Sequence, residues 1–128
     1  QYRIMEEVGR SATGVTYRAE DATLRRLVAL KLIDPELIHD EMRLHFQREV
    51  RTAASMDHAT ICSMYEIGEA EGNLFIVMQY VEGETLKKKL EHGPLPIGTV
   101  LDVALLVGGG LDRVHTQGIV HGGIRSSN

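Results

Sequence analysis

The sequence predicts an α+β fold, in which a five-stranded antiparallel sheet with one helix is followed by two further helices. Three observations lead to this prediction. Five short segments in the first 80 residues have apolar residues in alternation or in short runs, as strands do. One segment between the third and fourth strands places its apolar residues at steps of three and four, which is typical of an amphipathic helix. Beyond residue 80, proline and glycine delimit two segments with helical spacing.

Composition sets limits on the class of protein. The 128 residues are 43% hydrophobic and 25% charged, which is typical of a globular chain of about one domain. The net charge of −4 gives no reason to expect a nucleic-acid partner. The single cysteine, Cys62, is predicted in the core and fits a reducing, cytoplasmic location. No apolar run could span a bilayer, and Gln1 in place of a methionine suggests that the chain was cut from a longer protein.

The first two strands form a hairpin with an open tip. They are predicted in "YRIMEEVG" and "GVTYRAED", and "GRSATG" joins them. Gly9 and Gly14 lie five residues apart in this tip, and a tip of small residues can offer backbone N–H groups to a phosphate chain. A flexible hairpin loop without a ligand is the alternative interpretation.

The third strand, "RRLVALKLI", contains one lysine, Lys31, among apolar residues. A buried ammonium without a partner is costly, so Lys31 needs a partner or a ligand unless it lies on a half-exposed face. A helix is predicted next, at Asp40–Met56, and Glu49 lies at the edge of its apolar stripe, where it could face the sheet. Solvated helix surface is the alternative for Glu49. The stripe consists of Met42, Phe46, Val50, Ala53 and Ala54.

The remaining elements follow in order. Strands four and five are predicted in "TICSMYEIG" and "NLFIVMQYV", and "VEGETLKKKLEHG" contains a linker and a short basic helix. A longer helix follows, with Pro96 near its start and Gly118 past its end. Three glycines at 108–110 each weaken it by about 1 kcal/mol relative to alanine, so it is expected to fray. Its apolar stripe is Leu101, Leu105, Leu111 and Val114.

Five of these segments also form an ordered set of motifs. "VGRSATGVTYRA", "VALK", "FQREV", "LFIVMQYVEGETL" and "GIVHGGIRSSN" have the order and spacing of a protein kinase. The chain resembles the bacterial eukaryotic-like serine/threonine kinases over essentially all 128 residues. The resemblance implies a kinase small lobe at residues 1–80. It implies the hinge and the start of the large lobe, ending in the catalytic loop, at residues 81–128.

The resemblance implies ATP and Mg²⁺ as ligands and assigns residues to them. Lys31 would hold the α- and β-phosphates, and Glu49 would be its ion-pair partner on the regulatory helix. Ser11 stands where the phosphate-covering loop has its second glycine, and Thr16 replaces the valine above the adenine. The other implied nucleotide contacts are Gly9 and Gly14 in that loop, Ala29 above the adenine, Met78 as gatekeeper, and the hinge from Gln79 to Val81.

The catalytic loop departs from the family pattern. The family reads His-Arg-Asp-x-Lys-x-x-Asn, whereas residues 121–128 read "HGGIRSSN". Gly123 stands at the position of the aspartate that accepts the substrate proton, and loss of a general base typically costs about 10²- to 10⁴-fold in rate. Gly122 replaces the arginine and Arg125 the lysine near the transferred phosphate, whereas Asn128 matches the asparagine that binds magnesium.

Three interpretations of the chain stay open. The chain is the amino-terminal part of a serine/threonine kinase, a pseudokinase that senses nucleotide or binds partners, or a non-functional remnant. The 128 residues stop before the family's Asp-Phe-Gly segment, which implies a truncated or excised piece. Mg-ATP binding no tighter than about 100 μM is therefore expected, because the chain has residues to cover one side of the adenine and none to cover the other. The protein substrate is unknown. The uncovered face of the long helix predicts that the chain either self-associates or is poorly soluble.

Overall fold

The computed structural model describes residues 1–37 and 56–127. The predicted helix with Glu49 lies outside the described residues, as does Asn128; Met56, the predicted last residue of that helix, is buried and not helical. The chain divides into two compact units. One consists of Gln1–Asp57 with Cys62–Val81, and the other of His58–Ile61 with Glu82–Asn128.

The first unit contains the predicted five-stranded antiparallel sheet, which is confirmed. Its strands are β1 (Tyr2–Ser11), β2 (Gly14–Asp21), β3 (Arg26–Ile33), β4 (Met64–Ala70) and β5 (Asn73–Gln79). The spatial order is β1-β2-β3-β5-β4, so β3 is the central strand and β1 and β4 are the edges. A short 3₁₀ turn, Pro35–Leu37, follows β3.

The sheet buries apolar side chains on both faces. Because side chains alternate along a strand, Val28 and Leu30 of β3 point to one face and Ile33 to the other. The first face holds Ala19, Val28, Leu30 and Val77, with Tyr2, Leu32 and Phe75 packed against them. The second face holds Ile33, Leu74 and Ile76, with Met64, Ile67 and Met78 around them. The central strand is therefore apolar on both sides, as its run of aliphatic residues predicts.

Tyr2 ties the beginning of the chain to the far edge of the sheet. Its hydroxyl donates to the Glu66 carboxylate of β4, and its ring meets Phe75 edge-on at 6.2 Å between centroids. Burial, the hydrogen bond to Glu66 and the charge of Glu66 together raise the pKa of Tyr2 to about 12. The phenol therefore keeps its proton and its hydrogen bond throughout the physiological pH range.

The second unit contains the two predicted helices. Helix α1 (Leu86–Leu90) begins after Thr85, whose side chain accepts a hydrogen bond from the Lys88 N–H at 3.2 Å, as a helix N-cap does. Helix α2 (Ile97–Thr116) begins directly after Pro96, and Gly118 follows its end with a φ of +74°. The two residues predicted to delimit the long helix are confirmed.

Helix α2 continues through its three glycines. Gly110 is buried, and a Cβ atom there would lie 2.8 Å from Thr60 Oγ1. Nothing lies within 4 Å of such an atom at Gly108. The third glycine therefore has a packing role, because it lets the helix backbone approach the turn at residues 58–61 closely.

The apolar stripe of α2 is covered at one end only. Leu101 and Leu105 are 57% and 76% exposed, whereas Val114 is 7% exposed and Leu111 is half-buried. The prediction that the whole stripe lacks cover within the chain is therefore wrong for Val114. Among the described residues, no helix is both long and apolar enough to cross a membrane.

The fourth strand starts four residues later than predicted. The imidazole Nδ1 of His58 accepts from the Thr60 N–H at 3.2 Å and lies 2.9 Å from Thr60 Oγ1, and the Ile61 N–H donates to the His58 carbonyl. These bonds form a turn where the sequence predicts a strand. Cys62 lies before β4 and is exposed, so the prediction that it belongs to the core is wrong.

Candidate functional site

The strand register brings four predicted site residues to one face of the sheet. Thr16 of β2 lies opposite Lys31 of β3, and Ala29 of β3 lies opposite Met78 of β5. Directly opposed residues point to the same side of a sheet, and Ala29 and Lys31 are two apart on one strand. The four side chains therefore share the face that also holds Ile76. We call this the Lys31 face.

Lys31 is half-buried on this face. Its Nζ donates a hydrogen bond to Thr13 Oγ1 at 2.6 Å, and burial lowers the pKa of Lys31 below its usual value. Glu49 lies outside the described residues, so the ion pair between Lys31 and Glu49 stays a prediction. Sequence reasoning did not single out Thr13, because nothing in a hairpin tip of small residues shows which hydroxyl will reach the lysine.

The two glycines of the hairpin tip have different structural roles. Gly14 has a φ of +139°, and a Cβ atom there would lie 1.9 Å from the carbonyl oxygen of Leu32. Only glycine permits this approach of β2 to the backbone of β3. Gly9 has no atom within 4 Å of the corresponding position, and its backbone is not left-handed. Gly9 therefore leaves open space in which a ligand could approach the backbone.

The hairpin tip is fastened by its own hydroxyl groups. Ser11 Oγ accepts from the Thr13 N–H at 3.3 Å and lies 3.0 Å from Thr13 Oγ1. The Asp34 N–H, just after β3, donates to the Thr13 carbonyl at 3.2 Å. The tip is thus held to the end of β3 by backbone as well as by side-chain contacts.

The backbone groups of the predicted hinge differ in their hydrogen bonding. The Gln79 N–H donates to the Ser63 carbonyl at 2.8 Å, and Gln79 pairs with Val28, which places its side chain on the face opposite Lys31. Val81 is 66% exposed, and its backbone groups make no hydrogen bond with any other described residue. Among residues 1–37 and 56–127, the N–H and C=O of Val81 therefore have no partner, whereas the N–H of Gln79 is bonded to Ser63.

Arg18 is a further residue of the Lys31 face that the sequence did not indicate. It lies opposite Ala29, and its Nη1 pairs with Glu6 Oε1 at 2.9 Å. Its guanidinium also lies over the ring of Tyr80, 5.6 Å from the centroid. Arg18 therefore connects the strand that bears Thr16 to the residue between Gln79 and Val81.

The loop after α2 contains Gly122 and Gly123, at the positions where the resemblance predicts an arginine and an aspartate. The Gly123 N–H donates to His121 Nδ1 at 3.2 Å. A Cβ atom at Gly123 would lie 3.8 Å from His121 Nδ1, an ordinary contact, whereas Gly122 has a φ of +66°. A Cβ atom would therefore fit at position 123, while any side chain at position 122 would be strained.

The end of this loop is attached to the first helix of the same unit. The Lys87 N–H of α1 donates to the Ser126 carbonyl at 2.7 Å, and Arg125 is exposed beside it. The described residues contain no group of three histidine, cysteine or acidic side chains that could hold a metal ion. The predicted magnesium ligand, Asn128, lies outside that part of the chain.

Comparison with known proteins gives one family. The protein kinase domain family matches residues 2–128. A probable serine/threonine-protein kinase of Clostridium acetobutylicum is 40% identical over 131 residues, and PrkC of Bacillus subtilis is 35% identical over 130 residues. Each match covers the whole of this chain and 20% of the relative, so the chain spans about a fifth of their length.

The solved structures agree with the sequence relatives. The crystal structure of the Mycobacterium tuberculosis PknI kinase domain superposes with a TM-score of 0.86 at 34% identity. The match covers 99% of this chain and 53% of the solved chain. The described sheet and helices are consistent with the small lobe and the start of the large lobe of that fold.

Proposed function

The chain belongs to the protein kinase domain family, and we propose that it is the ATP-binding part of a serine/threonine kinase domain. The proposed division is a small lobe at residues 1–80 and a hinge with the start of the large lobe at residues 81–128. The observation that supports ATP binding most directly is the Lys31 face. Two half-buried cations lie there: Arg18 is paired with Glu6, whereas Lys31 lies beside small residues and bonds to the hairpin tip.

The shared face of Thr16, Ala29, Lys31 and Met78 supports the proposed binding mode. The Lys31 ammonium binds the α- and β-phosphates, because a partly desolvated cation attracts anionic oxygens more strongly than one in water. Thr16 and Ala29 cover the adenine, Met78 lies behind it, and the open backbone of Val81 pairs with the edge of the base. Gly9, Ser11 and Gly14 form the loop over the phosphates, and Gln79 begins the hinge.

The proposal also assigns roles to a magnesium ligand and to two charged side chains. Bound Mg²⁺ would neutralise phosphate charge, with Asn128 as its ligand from this chain. Glu49 would pair with Lys31 and hold its ammonium in place. Arg125 would lie near the transferred phosphate and supply positive charge there.

We expect the Lys31→Met variant to bind Mg-ATP at least about tenfold more weakly than the wild-type chain. A hydrogen-bonded charge pair contributes about 1.5–3 kcal/mol, and methionine keeps the packing of the side chain while removing the charge. Titration calorimetry measures this change, with the wild-type dissociation constant expected at about 100 μM or weaker. Lys89→Met, in exposed helix α1, is the matched control and should bind as the wild type does.

Two results of that titration would count against the proposal. Equal binding by wild type and Lys31→Met would show that the nucleotide does not contact Lys31. An equal loss in Lys31→Met and Lys89→Met would show that general positive charge, and not this site, attracts the nucleotide.

A pseudokinase without phosphotransfer is the second candidate, and Gly123 favours it. Glycine has no side chain to accept the proton of a substrate hydroxyl, which is the role of the family's aspartate. We therefore expect no transfer of labelled γ-phosphate from ATP to a serine/threonine peptide by the 128-residue chain. Autoradiography against an active kinase as positive control measures this. Transfer that disappears in Lys31→Met would overturn the proposal of inactivity.

Two further proposals concern location and assembly. A cytoplasmic location is supported by the single cysteine, which needs no oxidising compartment. Self-association through α2 is supported by the exposure of Leu101 and Leu105. Sedimentation velocity would show it as a concentration-dependent shift that Leu105→Glu abolishes, and a monomer at every concentration would contradict it.

A further inference from the structure

A chain of hydrogen bonds leads from Lys31 through the hairpin tip, and its direction follows from the chemistry. Lysine only donates, so Thr13 Oγ1 accepts from Lys31 Nζ at 2.6 Å. The proton of the Thr13 hydroxyl is then free for Ser11 Oγ at 3.0 Å, and the Ser11 hydroxyl donates to the Gly14 carbonyl at 3.4 Å. Every hydroxyl proton in the tip therefore has an acceptor within the tip itself.

We propose that Thr13 is a self-inhibitory latch, whose hydroxyl holds the Lys31 ammonium in place of a nucleotide phosphate oxygen and fastens the hairpin tip over it. The inference rests on the proposed function, because it assumes that phosphate binds at Lys31. Thr13 is a positioning residue in this account and takes no part in chemistry.

Three hydrogen bonds hold Thr13 in its place in the hairpin tip. The Lys31 ammonium is bonded to Thr13, the Thr13 N–H is bonded to Ser11 and not offered outward, and the Asp34 N–H holds the Thr13 carbonyl. The ammonium has three N–H donors, and a phosphate oxygen can take the donor bonded to Thr13 only by displacing the Thr13 hydroxyl. The latch therefore weakens nucleotide binding by the strength of the bond that is broken.

The proposal predicts a gain of binding on removal of a single oxygen. Thr13→Val replaces the hydroxyl by a methyl group of similar shape, so the N–H donor that Thr13 occupies becomes available to phosphate. The net value of one hydrogen bond predicts about fivefold tighter Mg-ATP binding. Thr13→Ser keeps the hydroxyl and should bind as the wild type does, and so should Thr23→Val, a matched change in the exposed turn after β2.

Calorimetric titration of the four proteins with Mg-ATP is the test. Tighter binding by Thr13→Val alone supports the latch. Equal or weaker binding by Thr13→Val, while the wild type binds, overturns the latch and leaves the proposed ATP site intact.

A measurement without nucleotide separates failure of the latch from failure of the ATP site. Acetylation of Lys31 by an amine-reactive ester, followed by peptide mass spectrometry, reports how tightly the amine is held. The latch predicts a rate up to about fivefold higher in Thr13→Val than in wild type, with Lys87 and Lys89 as unchanged internal references. If none of the proteins binds Mg-ATP, the proposed function fails, and equal acetylation rates at Lys31 would overturn the latch as well.

Discussion

Replacing Gly14 by alanine is expected to destabilise the protein by about 3 kcal/mol or more, whereas Gly9→Ala should change its stability by no more than about 0.5 kcal/mol. At Gly14 the new methyl group would lie 1.9 Å from the Leu32 carbonyl oxygen, and the φ of +139° is strained for any residue with a side chain. The obstacle is backbone, which cannot move aside without separating β2 from β3. At Gly9 the same methyl group meets open space.

Urea denaturation followed by far-ultraviolet circular dichroism measures both variants against the wild type. The pair is matched because both changes add one methyl group to a glycine of the same hairpin. A stability loss at Gly9 as large as that at Gly14 would contradict the account. It would mean that the close approach of Gly14 to the Leu32 carbonyl is not what makes position 14 sensitive. The same result would also mean that a methyl group at Gly9 meets other atoms and does not lie in open space.

The glycine triplet of α2 gives the second large contrast, with an expected difference of about 2 kcal/mol between two neighbouring positions. Gly108→Ala should stabilise the helix by about 1 kcal/mol, because alanine is the better helix former and nothing lies near its methyl group. Gly110→Ala should destabilise the protein by about 1 kcal/mol, because the methyl group would lie 2.8 Å from Thr60 Oγ1 and the contact cost exceeds the gain in propensity. That oxygen is also bonded to His58 and cannot rotate away freely.

Thermal and urea unfolding of the two variants measure this difference. The double variant Gly110→Ala/Thr60→Ala removes the opposing oxygen and should recover most of the loss. Equal effects at the two positions would contradict the packing role of Gly110, and so would a double variant no more stable than Gly110→Ala alone.

The sheet could be predicted from the sequence because its signal is local. Alternation of apolar residues and the turn residues between strands are properties of short segments, and all five strands are found where they indicate except for the start of β4. The start of β4 was missed for the opposite reason. The His58 side chain forms hydrogen bonds with Thr60 that replace strand pairing, and such bonds depend on a side-chain conformation that no periodicity records.

In the candidate site, too, residues that belong to a motif could be predicted, whereas contacts between residues far apart in the sequence could not. The resemblance to the kinases implied Thr16, Ala29, Lys31 and Met78, and the strand register places all four on one face. Thr13 was not indicated, because its contact with Lys31 joins residues 18 positions apart and depends on how the tip folds. The packing role of Gly110 was also missed, since helix propensity counts the cost of a glycine and not the close approach that it permits.

The central claim is that ATP binds on the Lys31 face, and a nuclear magnetic resonance titration of the ¹⁵N-labelled chain with Mg-ATP tests it most directly. The account predicts that the largest amide shifts occur at the hairpin tip from Gly9 to Gly14, at Lys31, and from Met78 to Val81. It also predicts that the shifts at these three places saturate together and are lost in Lys31→Met. Shifts confined to the lysines of α1, or an unchanged pattern in Lys31→Met, would contradict the claim.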